Sequence, residues 1–268
     1  MASRIAVPEK KMRPIAVVTG GTSGIGAAFA EALAKSGHDL IIVGRREEII
    51  RGVAKSIEVK FENTVEVRIV DLGVQEEREA LVAEVARLGN IELLVNNAGF
   101  GHSADFGGEE SKAQLEMLDV HVTASVNLIS AVLPGMKRRK RGAIINVASV
   151  AGFFPMPRGS MYSATKAFLV SLSESLSMEL SGHGIRVQAL CPGMTHTDFH
   201  AQMGVAGREL QQRKLLVWMS AEKVVRRSLN ALSRNRVVCI PGVAYYIIVR
   251  LFSHTPRWIY YPLLRRLR

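Results

Sequence analysis

Cysteine is nearly absent from this chain: Cys191 and Cys239 are the only two in 268 residues, and both sit inside apolar, strand-like runs. That excludes a disulfide-stapled secreted scaffold and reads as two reduced core thiols in a cytoplasmic setting. No stretch of 18 uncharged apolar residues occurs, so no segment is expected to span a bilayer. The first eleven residues lack the apolar core of a secretory signal. Acidic residues are scarce at one end only. Residues 201–268 carry 13 Lys/Arg against 2 Asp/Glu, whereas residues 1–200 hold 22 of each, so the formal charge of +11 is a local property. A neutral body with a basic end points to a localised partner surface. At 48% hydrophobic, the chain is long enough for one large α/β domain over 1–268 and needs no second.

Ile15–Thr19 reads as a short buried strand, followed by the glycine-rich turn Gly20–Gly26 and a helix over Ala27–Ser36. A strand feeding glycines into a helix N-terminus makes a phosphate site, because backbone N–H groups and the helix dipole face the anion. Gly20, Thr22, Ser23, Gly24, Ile25 and Gly26 are the candidate cradle. A second strand, Asp39–Gly44, ends in Gly44-Arg45-Arg46. A dinucleotide fold that holds a ribose diol carries an acid at that point. Two guanidinium groups suit a ribose 2′-phosphate instead, which favours NADPH over NADH; ordinary solvated arginines are the other reading.

A helix over Glu47–Lys60, a strand Val65–Val70, a helix Gln75–Leu88 and a strand Ile91–Val95 lead to the turn Asn96-Asn97-Ala98-Gly99. Short polar residues and glycine there let the backbone pass close to a bound cofactor. Lys112–Lys137 reads as one long helix. The basic cluster Lys137–Arg141 falls at its carboxyl end, where cations suit the helix dipole, so a solvated turn is preferred to a nucleic-acid site. Ala143–Ala148 is a buried strand that places Ser149 at its carboxyl end. After a Gly/Pro-rich loop the pattern turns helical at Met161, with Phe168, Leu169, Leu172, Leu176 and Leu180 at helical spacing. Tyr162 and Lys166, four apart, share a face of that helix. A free phenol titrates near ~10, and a neighbouring cation favours phenolate, so the pair near a strand-end hydroxyl could move a proton. Taken by itself the spacing also describes a chance surface pair. Gly184–Cys191 and Arg236–Ile240 are the sixth and seventh strands.

Thr19–Gly26, Asn96–Gly99, Ser149, Tyr162, Lys166 and Pro192–Thr197, in this order and spacing, resemble the short-chain dehydrogenase/reductase family over roughly residues 14–200 and beyond. The resemblance implies a doubly wound Rossmann α/β fold, with about seven parallel strands and helices on both faces. It implies hydride transfer between a nicotinamide and a carbonyl or alcohol carbon, with no metal. Tyr162 would donate the proton, Ser149 would bond the same oxygen, and Lys166 would tune the phenol and hold the nicotinamide ribose. Asp71 would meet the adenine amino group, with Leu72 beside it, and Asn97, Ala98 and Gly99 would line the ribose. Pro192 and Gly193 would turn over the nicotinamide, with Thr195 and Thr197 as polar contacts. One position departs from the family: His121 stands where Asn is usual. Imidazole there could relay protons or mark weakened activity.

Residues 199–219, with Met203, Leu210, Leu215, Leu216, Val217, Trp218 and Met219, are expected to form a mobile substrate lid. With the apolar, aromatic C-terminus they favour a lipophilic ketone, aldehyde or 3-oxoacyl substrate. A nucleotide-binding sensor without turnover, or a membrane-recruited scaffold, is the rival reading. No nucleic-acid partner is expected, and a homo-oligomer is. The extension 243–268 is aromatic and basic. Its run Val243–Val249 meets Arg250 too soon to span a bilayer, while Tyr245, Tyr246, Trp258, Tyr260 and Tyr261 mix with Arg257, Arg265, Arg266 and Arg268 as in a segment lying in a headgroup layer. Covering the substrate pocket or forming an oligomer interface are the alternatives.

Overall fold

A computed structural model describes residues 13–102, 106, 111–197, 199, 217–256, 258, 259, 261 and 262. The short runs rich in Val, Ile and Leu become strands because they bury both faces. β1 (Ile15–Thr19), β2 (Asp39–Gly44), β3 (Val65–Ile69), β4 (Ile91–Asn96), β5 (Gly142–Val147) and β6 (Ile185–Leu190) form a parallel sheet closed by the short β9 (Val238–Cys239). The order is β3-β2-β1-β4-β5-β6-β9. The chain reverses its direction of travel between β1 and β4, and the crevice outside the carboxyl ends there is where a doubly wound sheet takes its ligand. A separate two-stranded pair joins β7 (Thr195–His196) to β8 (Met219–Ser220).

Two helical layers sandwich the sheet. On one face α1 (Gly24–Lys35), α2 (Glu47–Phe61) and α7 (Ala221–Ser233) bury Phe29, Leu33, Ile50, Ile57, Val224 and Leu232. On the other, α3 (Gln75–Leu88) and α5 (Ala124–Arg139) bury Leu81, Val85, Leu128, Val132 and Met136. α6 (Ser160–Glu179) packs Leu169 and Val170 beneath Ala189 and Cys191. Cys191 and Cys239 are both buried free thiols.

Three elements differ from the sequence reading, and a fourth takes a form it left open. α1 begins at Gly24 rather than Ala27, so the last glycines belong to the first helical turn and their N–H groups point out of it. The long helix is interrupted: α4 (Ser111–Leu118) runs into a π-turn over Asp119–Thr123 before α5. This turn carries His121, whose carbonyl accepts the Ser125 hydroxyl at 2.8 Å. The run Lys112–Arg139 is long and apolar enough to cross a membrane by composition, yet Met117, Val120, Leu128, Ile129, Val132 and Met136 are buried against the protein's own core. The seventh strand shrinks to two residues, Val238 and Cys239, which pair with Ala189 and Leu190 of β6. Finally, the apolar run after Gly242 is a helix, α8 (Val243–His254). Of the expected lid, residues 200–216 lie outside the described residues.

Candidate active site

The glycine-rich turn and the Asn-Ala-Gly turn are knitted together at the β1/β4 switch. The Thr19 hydroxyl oxygen accepts the Asn97 and Ala98 backbone N–H groups at 2.9 and 3.0 Å. The Asn97 amide donates to the Thr19 and Gly20 carbonyls at 2.9 and 3.1 Å. Gly20 and Gly24 adopt positive φ, +67° and +56°, and a Cβ on Gly26 would lie 2.1 Å from the Gly20 oxygen. Only glycines allow this turn. The first turn of α1 holds no acidic residue, and its cap Ser23 makes no side-chain cap bond. Its N–H groups are thus left to an external anion. The residues present fit a dinucleotide pyrophosphate. Ile25 packs against the core beneath, and Thr197 closes over Gly24, where a Cβ would meet its methyl at 2.7 Å.

Arg45 and Arg46 follow β2 and diverge. The Arg46 guanidinium donates to the Thr22 and Ser23 hydroxyls at 2.7 and 3.0 Å, so it lies across the rim of the cradle. Arg45 instead pairs with Asp71 at 3.0 Å and with Glu116 at 3.3 Å. Burial works against the Asp71 carboxylate, but the Gly73 N–H and Arg45 outweigh it and hold the group below its ordinary range. Leu72 turns its side chain into the core, and its carbonyl accepts Arg78 at 2.8 Å.

Ser149, Tyr162 and Lys166 meet beyond the carboxyl end of β5. Ser149 caps the 3-10 turn Val150–Phe153, its oxygen accepting the Ala151 N–H at 3.1 Å. That bond uses the oxygen as acceptor and leaves the Ser149 O–H to donate to the Tyr162 phenol oxygen. Lys166 is 5% exposed and donates to the Val147 carbonyl at 2.9 Å. Its Nζ sits 5.6 Å from the centre of the Tyr162 ring. Here tertiary burial overrides the effect expected from spacing. Desolvation pushes the Tyr162 phenol up to about 12, with the Ser149 hydroxyl pulling the other way. The residue as a whole keeps intermediate exposure, so the desolvated part is its polar end. The same burial pushes Lys166 down to about 8. At neutral pH the phenol is protonated.

His121 lies beside these groups, 1% exposed, its ring 6.0 Å from that of Tyr162 and nearly perpendicular to it. Nε2 accepts the Phe100 N–H at 3.1 Å. Because that nitrogen accepts, Nδ1 must carry the proton, and it donates to the Thr165 hydroxyl at 3.0 Å. Thr165 in turn donates to the Tyr162 carbonyl at 2.9 Å. Burial first, then the nearby Lys166 charge, hold the imidazole well below its ordinary 6.5, so it is neutral. Both nitrogens are engaged, linking the Asn-Ala-Gly turn to α6. Gly99 makes the room: a Cβ there would meet Nε2 at 2.7 Å.

At the far end, the Pro192 carbonyl accepts the Val150 N–H at 3.0 Å, fixing this loop to the Ser149 turn. Thr195 is buried, donating to the Gly193 carbonyl at 3.1 Å, and Thr197 donates to the Thr195 carbonyl at 3.5 Å. Gly193 carries the ring of Tyr245, which a Cβ would meet at 2.3 Å. Tyr245 donates to the Val217 carbonyl at 2.9 Å. Phe199 lies against Tyr162 at 5.8 Å, and Trp218 stacks on His196 at 5.0 Å. Sequence reasoning assigned no site role to Thr165 or to Tyr245. It also missed a buried polar chain across the sheet, in which Asn96 donates to Asn146 and Asn146 to Ser173, both at 2.9 Å. A lone Asn inside the apolar strand Gly142–Val147 was the available signal for it.

The profile of the short chain dehydrogenase family matches residues 14–206. An uncharacterized oxidoreductase of Staphylococcus saprophyticus is 40% identical over 184 residues, 68% of this chain and 79% of its own length. A very-long-chain 3-oxoacyl-CoA reductase of Mus musculus is 31% identical over 260 residues, covering 93% and 78%. A short-chain dehydrogenase from Sphingobium yanoikuyae, solved in complex with NADPH, superposes with a TM-score of 0.80 at 31% identity, covering 94% of each chain. Sequence and fold agree, and this chain belongs to the short-chain dehydrogenase family, as an oxidoreductase of alcohol and ketone groups.

Proposed function

We propose that this protein is an NADPH-dependent reductase of a lipophilic ketone, aldehyde or 3-oxoacyl carbonyl. The observation that carries the reading is the protonated Tyr162 phenol, gathered with Ser149 and the buried Lys166 at the carboxyl end of β5. When bound, the nicotinamide supplies the hydride; the protein orients the carbonyl and manages one proton. Tyr162 donates that proton to the carbonyl oxygen as negative charge develops on it, and the Ser149 hydroxyl, which bonds the phenol in the structure, turns to bond the same oxygen. The phenol is protonated at neutral pH, as its role of proton donor requires. Lys166 stabilises the phenolate left behind and reaches the nicotinamide ribose. Arg46 takes the ribose 2′-phosphate, with Thr22 and Ser23 aligning it.

The aromatic surroundings, Phe199 against Tyr162 and Tyr245 over Gly193, support a lipophilic substrate, and so does the likeness to the mouse 3-oxoacyl-CoA reductase. In this reading the enzyme works as a homo-oligomer in the cytoplasm, with which its buried free thiols accord. The test is NADPH and NADH oxidation measured against a series of carbonyls of increasing apolar length. Turnover that rises with length and prefers NADPH supports the proposal; a flat response, or equal use of both cofactors, contradicts it.

A further inference from the structure

We infer that the exposed face of α8, with Trp258 beyond it, forms a docking surface for an anionic lipid membrane. α8 is apolar on both its faces. Tyr245, Val249 and Phe252, spaced i, i+4, i+7, face the body: the first two are buried and the third lies 5.5 Å from Phe154. The opposite face is also apolar, with Val243 71%, Tyr246 51%, Ile247 50% and Leu251 64% exposed. Beyond the helix, Trp258 is 76% exposed. A contiguous apolar face of this kind marks a contact site.

Charge decides the occupant. Residues 243–268 contain Arg250, Arg257, Arg265, Arg266 and Arg268 and not one Asp or Glu. A second copy docked through the same face about a twofold axis would set two helices bearing Arg250 against each other with no carboxylate in either, and like charges across an interface are costly. An anionic lipid surface supplies the missing charge and an apolar layer at once. Twelve helical residues span ~18 Å, too short for the ~30 Å hydrocarbon core, so α8 lies in the interface plane. Trp258 has the amphipathic ring found at that depth. Because Phe252 touches the turn following Ser149, docking holds the catalytic end of the sheet about one helix diameter, ~10 Å, from the lipid.

The experiment is flotation of the full chain with vesicles of phosphatidylcholine alone and of phosphatidylcholine mixed with phosphatidylglycerol, at low and high salt. A second arm uses the double variant Ile247→Glu, Leu251→Glu, whose exposed positions leave folding unchanged by circular dichroism. The parent binds the anionic vesicles, at least about tenfold more weakly when they are neutral or in high salt. The folded double variant loses about a hundredfold or more of that binding. The inference is overturned if the parent stays unbound, binds both vesicle types alike, or binds no better than the double variant. It is equally overturned if the substitutions convert a dimer to a monomer while no vesicle binding is seen, because the face is then a contact between copies. Binding is read without turnover, so its failure leaves the proposed reaction untouched.

Discussion

Replacing His121 by Asn tests the neutral imidazole at the heart of the site, through stability rather than activity. The folded pKa lies well below the ordinary 6.5. Between those two values the unfolded chain binds a proton that the folded protein refuses, so stability falls as pH drops below 6.5 and is fully present above it. The slope is about 1.4 kcal/mol per pH unit for one proton. Below pH 6.5 the parent therefore loses stability through this residue, at up to that slope. The loss continues to the pH at which the folded imidazole finally protonates. At pH 7.5 the variant pays a different cost: it leaves the Phe100 N–H without its acceptor, about 1–3 kcal/mol. The parent is thus the more stable protein at pH 7.5, and the gap narrows or closes at pH 5. Urea unfolding of both proteins at the two pH values measures it, since every other titrating group is common to both. Equal acid sensitivity in parent and variant would refute the buried, neutral imidazole and with it the assigned tautomer.

Lys166→Met abolishes activity yet stabilises the fold by about 1–3 kcal/mol at pH 7.5, because the desolvation that pushes the lysine from 10.5 down to about 8 outweighs its bond to the Val147 carbonyl. Thermal unfolding reads this directly. In the parent, stability also rises with pH between 8 and 10.5, where only the unfolded chain keeps the proton, and the variant lacks that rise. Arg46→Ser raises the KM for NADPH about 10–100-fold, as expected from losing a charge-assisted phosphate contact, and leaves that for NADH nearly unchanged. Arg45→Ser has the smaller effect, since Arg45 is already paired with Asp71 and Glu116; initial-rate kinetics with each cofactor compares the two.

Much of the molecule was legible because its signals are local. The strand, glycine turn and helix at Ile15–Lys35 are contiguous, and the four-residue step from Tyr162 to Lys166 fixes a shared helix face. The π-turn at Asp119–Thr123 was not legible, because its residues continue the helical hydrophobic pattern and the extra backbone step leaves no trace in it. The phenol's titration was misjudged in direction for a physical reason: spacing reveals a neighbouring cation, while burial is a property of the assembled site and here outweighs it. Tyr245 and Gly193 are 52 residues apart, and nothing in either segment announces that one ring rests on the other. The same holds for Asn96, Asn146 and Ser173, which only the sheet brings together.

The central claim is that Tyr162 is the acid that protonates the reduced carbonyl. Tyr162→Phe keeps the ring, and so its contacts with His121 and Phe199, while removing only the hydroxyl. Carbonyl reduction at saturating NADPH, paired with NADPH binding followed by its fluorescence, measures the two consequences separately. The expected result is a fall in kcat of about a hundredfold or more, with NADPH binding within a few-fold of the parent. Reduction by the variant at close to the parent's rate, with cofactor bound, would contradict it.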